Sequence, residues 1–415
     1  MFPSAVGGEA VPYREEPRFL MKKEKRRKLG EEAARLFEAS VREGAFHRAL
    51  AYVGAVEEHW DVGQSWFLSQ FIGHTYHQTG FLTRALVHCE RATQVADAEK
   101  RQRSAWAELG RLKKEIGDFE GAVSAFKLAM EEPPRSSEIH ILTANCLKAL
   151  GRLEEGEQLL YYALDVVQGD PEEVYVNLAY FQVLRGNEAG ARASLAKALE
   201  IDPGYDVALA LRKEMDINLG PGADWVAKFK RCVQQDGYIR ALTLADALER
   251  DARVREDWFL SQYLGMAYRE GGVFRRAQPH LERAPGLADS DERRRLAFMQ
   301  VANGRRDGGD LEGAVTAYHQ ALEYARHRFT WPWILVGDCY KALDQTDKAR
   351  EMFHEALACE EGNFDEAWLN LAFFPLLAGD LDEARECLRR ALELVPDFES
   401  AQLFLAQLEM ELEAR

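Results

Sequence analysis

The stretch Ser104–Pro134, SAWAELGRLKKEIGDFEGAVSAFKLAMEEPP, decides how the rest of the chain reads. Trp106, Leu109 and Gly110 fall on one helical face, the pattern breaks at Gly117-Asp118, and Ala122, Phe126 and Ala129 fall on a second face before Pro134. Apolar or small residues recur three and four apart in both segments, the period of an α-helix with one buried stripe. Gly110 and Ala122 leave room for two helices to approach closely, with Trp106 and Phe126 filling what remains. The spacing predicts a helical hairpin whose turn is the Gly-Asp pair.

One such hairpin cannot bury its own apolar face, so neighbours of similar length are required on both sides. They are present. Upstream, Gly73, Tyr76, Gly80, Ala85 and Ala92 keep the same relative spacing, and downstream Ala144, Gly151, Leu160 and Ala163 keep it again. A further unit runs through Tyr175, Leu178, Ala179, Gly186, Ala191, Leu195, Ala198 and Pro203. The run W-x2-L-G, A-x3-F, Pro resembles the tetratricopeptide repeat, with Lys113 where that repeat usually has Tyr. The resemblance implies an all-α, right-handed superhelical solenoid of helical hairpins, about ten of them over this length.

The chain then starts again. Trp66-Phe67-Leu68-Ser69-Gln70 recurs as Trp258-Phe259-Leu260-Ser261-Gln262, and Tyr76, Gly80 and His88 recur as Tyr268, Gly272 and His280, at an offset of 192. Cys146 with Lys148 matches Cys339 with Lys341, and Pro203 matches Pro396, at 193. The pattern predicts duplicated blocks, residues 30–220 with a divergent opening hairpin and residues 221–415 with a capping C-terminal helix, meeting at Gly220-Pro221-Gly222. Residues 1–29 read as a flexible, partly basic tail whose run Lys22 to Lys28 is either an electrostatic contact or a solvated helix start. Pro279 and Pro375 fall within helical patterns and predict kinks.

Composition bounds the function. A net charge of -16 argues against nucleic acid as the main partner. The six cysteines form no C-x-x-C pair and read as reduced core thiols. With no membrane-length apolar run and no secretory signal pattern, the expectation is a cytoplasmic protein. His74 and His77 stand one turn apart as metal ligands could, but no Cys or acidic residue at a completing spacing is evident, and the second block has Met266 and Arg269 there. Ser69 and Ser261 lack a nucleophile setting, and no phosphate loop is present. The expectation is no enzyme, no metal and no cofactor.

What remains is the surface. In tetratricopeptide proteins the first helix of each hairpin lines the concave side. That resemblance implies inward positions for His74, His77, Arg111, Lys114, Asn145, Lys148, Tyr180 and Val183, and for Met266, Arg269, Asn303, Arg306, Asp338, Lys341, Phe373 and Leu376. Phe67 and Gln70, with Phe259 and Gln262, are expected to point the same way. A basic groove inside an acidic shell is the inference, and a protein or peptide partner with an acidic or carboxylate-ended segment is the expectation. Equally, these charges simply solvate the face. The carboxylate clamp of chaperone-binding relatives is not matched, since Ala107 and Ile141 stand where it would want Lys. The repeated W-F-L-S-Q marks either equivalent binding sites or a seam to the preceding hairpin. The alternative function is a peptide- or effector-responsive regulator whose blocks close about Gly220-Pro221-Gly222.

Overall fold

The computed structural model describes residues 17–59, 62–131, 137–166, 169–222, 224–325 and 329–414. The sequence expectation for residues 1–16 lies outside them. Within residues 17–29, the backbone belongs to the first helix. The order is helix after helix: α1 (Pro17–Arg42) with α2 (Phe46–His59), α3 (Trp66–Gln78) with α4 (Leu82–Val95), and α5 (Glu99–Glu115) with α6 (Phe119–Ala129). Next come α7 (Ser137–Ala149) with α8 (Leu153–Val166), α9 (Pro171–Leu184) with α10 (Glu188–Ile201), and a single α11 (Asp206–Met215). The second half opens with α12 (Trp225–Gln234) against the short α13 (Tyr238–Leu242) and α14 (Ala245–Glu249), then α15 (Arg253–Glu256). It continues as α16 (Trp258–Glu270) with α17 (Phe274–Leu287), α18 (Asp291–Asp307) with α19 (Leu311–Glu323), and α20 (Thr330–Ala342) with α21 (Thr346–Leu357). It ends with α22 (Phe364–Leu371) and α23 (Phe373–Leu377) against α24 (Leu381–Leu394), then α25 (Glu399–Ala414). This is an all-α repeat solenoid. Among the described residues no helix is long and apolar enough to cross a membrane.

The hairpins close for local reasons. Gly117 turns the chain at φ +78°, a conformation only glycine takes without strain. Asp118 then caps α6 by accepting a 2.9 Å hydrogen bond from the Gly121 amide. Asp310 does the same for α19 through Gly313, also at 2.9 Å. The packing follows the small positions: a Cβ at Gly110 would stand 2.5 Å from the Phe126 ring, and one at Gly337 would stand 2.6 Å from Phe353. Trp106 is half-buried, while Phe126 and Ala122 are wholly enclosed. The chain does not break at both prolines. The helix divides at Ala372, just before Pro375, whereas α17 runs on through Pro279.

Successive first helices touch directly, α3 with α5, α5 with α7, α7 with α9, α16 with α18 and α20 with α22, and so form the inner wall. The repeated serines tie that wall to the preceding turn. Ser69 Oγ donates to the Val62 carbonyl at 2.8 Å, and Ser261 Oγ donates to the Val254 carbonyl at 2.5 Å.

The array closes on itself. Helix α2 packs against α23 and α25, and one apolar core joins Phe37, Val53 and Val56 near the start of the chain to Phe373, Phe404 and Leu408 near its end. Mid-chain, α13 packs against α9 and α11 in the same way, through a core that crosses Gly220–Gly222 without interruption. Across the middle, the turn at Gly117 faces the turn at Gly309, each so close that a Cβ would meet the other's Cα at 2.3–2.4 Å. The Gly80 turn faces Lys341, and its counterpart Gly272 faces Lys148. These contacts exchange under the sequence offset, a pseudo-symmetric exchange centred on Gly117 and Gly309. The seam also holds a stack of Phe119 on Phe274, centroids 5.7 Å apart, and the ion pair of Arg84 with Asp344 at 2.5 Å. The concave wall expected from the resemblance is therefore not fully open: opposing turns lie over its Lys148 and Lys341.

Candidate partner-binding surface

Each inward position lies on the first helix of its hairpin, and none of the sixteen candidate binding residues is exposed. Gln70, Gln262, Lys341 and Phe373 are buried. Phe67, His74, His77, Arg111, Lys114, Asn145, Lys148, Tyr180, Phe259, Arg269, Asn303 and Arg306 are half-buried. As ready contacts for a partner, the buried four are corrected: Lys341 lies under the Gly80 turn, Phe373 packs on His47 and Phe404, Gln262 reaches the Leu296 carbonyl of the next hairpin, and Gln70 is likewise buried. Phe67 packs on Phe71, and Phe259 on Tyr263, with centroids 4.7 and 4.4 Å apart.

The basic lining is also less basic than its own positions suggest, because acids from the same helix and from neighbouring helices pair with it. Arg111 pairs with Glu138 at 2.8 Å, Arg269 with Glu270 at 2.5 Å and Arg306 with Asp307 at 3.3 Å. Lys341 donates to Asn370 at 2.6 Å, lies 3.3 Å from Asp338, and sits over the Phe373 ring. Asn303 accepts a hydrogen bond from the Tyr318 hydroxyl at 2.7 Å. Burial, with Asp170, Glu138 and Glu172 nearby, pushes the Glu173 carboxyl above its usual range. A uniformly basic groove is thus replaced by a mixed one.

One part of the lining keeps unpaired cations. Lys114 and Lys148 have no hydrogen-bond or ion-pair partner among the described residues, and Lys148 lies 5.3 Å from the Tyr180 ring centroid. Burial, and then the positive charge of Lys114, pushes the Lys148 ammonium down to about 8. Beside them the Asn145 Oδ1 is buried without a hydrogen-bond partner.

The histidines have a setting that sequence spacing along one helix misses. His74 Nδ1 and His77 Nδ1 lie 2.7 and 2.9 Å from the same Glu108 Oε1, and His77 Nε2 lies 2.9 Å from Glu115 Oε2. Burial alone would lower the His77 imidazole, yet its bonds to Glu108 and Glu115 hold it up at about 9. Glu108 stands 34 residues after His74, one repeat length, so repeat register was the signal that could have found it.

Family models described as tetratricopeptide repeat match residues 107–172 and 376–414, and residues 172–205. These stretches of the chain are tetratricopeptide repeats. This repeat protein is similar to the CTR9 homologue of Arabidopsis thaliana, 23% identical over 296 residues, covering 71% of this chain and 26% of the relative. It therefore spans about a quarter of that relative's length. Among solved structures it is similar to YrrB, described as having an unusual peptide-binding site, at 18% identity and TM-score 0.39, covering 47% of this chain and 97% of that one. It is similar to the Cut9–Hcn1 assembly at 14% identity and TM-score 0.35, covering 94% of each chain. Yeast Tom70 gives 14% identity and TM-score 0.34, covering 84% of this chain and 88% of that one.

Proposed function

We propose that this repeat protein is a non-catalytic adaptor that holds an acidic or carboxylate-ended segment of a partner protein against the inner face of its first half. Lys114 and Lys148 supply the counter-charge, Asn145 a hydrogen bond and Tyr180 an apolar face. The observation that carries this reading is a difference between the halves. In the second half Lys341 has an internal carboxylate, Asp338, at 3.3 Å; in the first half the position of Asp338 is taken by Asn145, and Lys148 is left with aromatic rings alone. A carboxylate from outside completes the first-half arrangement as Asp338 completes the second. A cation kept in a low-dielectric setting without an anion is costly, so the gain on supplying one is large.

The test uses the full chain and a fluorescent decapeptide of alternating Asp and Glu, read by anisotropy. Asn145→Asp should supply the missing carboxylate internally and weaken peptide binding at least tenfold, with helicity and melting temperature retained. Wild-type affinity in Asn145→Asp would sink the reading.

One observation favours a second, responsive reading. The Gly272 turn lies against Lys148, where a Cβ would meet its Cε at 3.0 Å. A segment entering there displaces that turn, so a ligand would open the halves about Gly220-Pro221-Gly222, and scattering would register expansion on peptide addition.

A further inference from the structure

We infer that His74, His77 and Glu108 form a binding site for one divalent transition-metal ion, with zinc as the best match. The three donor atoms, both Nδ1 atoms and one carboxylate oxygen, all lie within 4.8 Å of one another. Two imidazoles and a carboxylate are the donor set that zinc takes in four-coordinate sites, leaving a fourth position for water or a partner's donor. That position has an approach, because the His74 side chain is 26% exposed while His77 and Glu108 are 7% and 8% exposed.

The surroundings suit a resident ion. His77 Nε2 lies 2.9 Å from Glu115 Oε2, the outer carboxylate that typically fixes the ring of a ligating histidine. The Phe46 and His74 rings meet at 74°, centroids 4.6 Å apart, a contact that limits rotation of the imidazole. Arg111 is drawn off by Glu138 at 2.8 Å and stays 3.8 Å from Glu108 Oε2, leaving Oε1 to the histidines. Binding displaces the protons that His74 Nδ1 and His77 Nδ1 both direct at Glu108: the His77 proton leaves to solvent, the His74 ring changes tautomer so that its proton sits on Nε2, and the His77 Nε2–H continues to donate to Glu115. No change of oxidation state is involved.

The pseudo-symmetric position acts as an internal control. There Met266, Arg269 and Gln300 replace His74, His77 and Glu108, and Arg269 turns to Asp307 at 3.8 Å. The fold closes at that place without the histidine and carboxylate set, so packing alone does not call for it.

The experiment titrates chelator-treated full-length protein with Zn²⁺ in a calorimeter and with Co²⁺ in a visible spectrometer. The expected result is one equivalent per chain, a Kd of about 1 µM or tighter, and a tetrahedral Co²⁺ band. Glu108→Gln and His74→Gln should each weaken Zn²⁺ binding at least tenfold, and Glu115→Gln about tenfold with the band retained. Asp307→Asn should leave the titration unchanged. His74→Gln, at the most exposed of the three ligands, keeps the test valid if Glu108→Gln fails to fold. No saturable equivalent in the wild type, or unchanged affinity in His74→Gln, would overturn the site.

Discussion

His47 illustrates how a single residue takes its character from closure. It stacks on Phe404 with centroids 4.3 Å apart and lies 5.7 Å from Phe373, so a residue of the first hairpin is packed by the last two. Burial is the main reason its imidazole is lowered to about 4; Gln407 pulls the other way and the charge of Lys341 adds to the fall. A histidine whose folded value lies below its unfolded 6.5 stabilises the fold above pH 6.5, and that contribution is lost as pH falls through 4. The expected loss between those limits is up to about 3 kcal/mol. Denaturant midpoints measured between pH 7 and 4 should therefore fall, and His47→Phe should flatten much of the slope. Nothing in the local sequence around His47 indicates this, because the residues that bury it are more than three hundred positions away. Gly110 is the opposite case: its partner Phe126 lies in the same hairpin, and the spacing alone placed them together.

At the scale of elements, the hairpins are legible because each is specified within its own repeat by a small crossing position, a turn glycine and a cap. The exceptions occur where partners are remote. The opening hairpin of the first half has a continuous α2, while its counterpart is divided into α13 and α14. Helix α25 reads from sequence as a capping helix, and its Phe404 and Leu408 are wholly buried in a core that also holds the remote Phe37 and Val53. Phe404→Ala should cost about 3–5 kcal/mol. Hydrogen exchange should show protection falling in α1 and α2 together with α25, while α5 to α8 keep theirs. Loss confined to α25 would count against the terminal clasp.

At the scale of the molecule, an open solenoid couples each repeat only to its neighbours, so its ends fray independently. This chain adds contacts between its first and last hairpins and across its centre, and the ends become coupled. The contact of Gly117 with Gly309 is the tightest test, since any side chain there must push the facing backbone away. Gly117→Val should raise the radius of gyration in small-angle scattering while helicity by circular dichroism is largely retained. An unchanged radius would mean that the halves are held apart at that point in solution. The candidate site depends on the same geometry. The inward positions followed from the repeat pattern, but which acids pair with them from the next hairpin, and their cover, needed the packed structure. Glu108 and Glu138 arrive from the next hairpins, and Gly80 and Gly272 from the opposite half.

By itself, then, the sequence determined the hairpin, its repetition and its duplication, since each depends on periodicities and small residues within one repeat length. The tertiary structure decided that opposing turns lie over the wall, that Lys341 is buried under the Gly80 turn while Lys148 faces the Gly272 turn, and that the two histidines converge on one oxygen of Glu108. The physical reason is cumulative geometry. Each hairpin turns slightly against the last, and whether those small rotations sum to an open curve or a closed ring is a property of all the interfaces together, written in no single stretch.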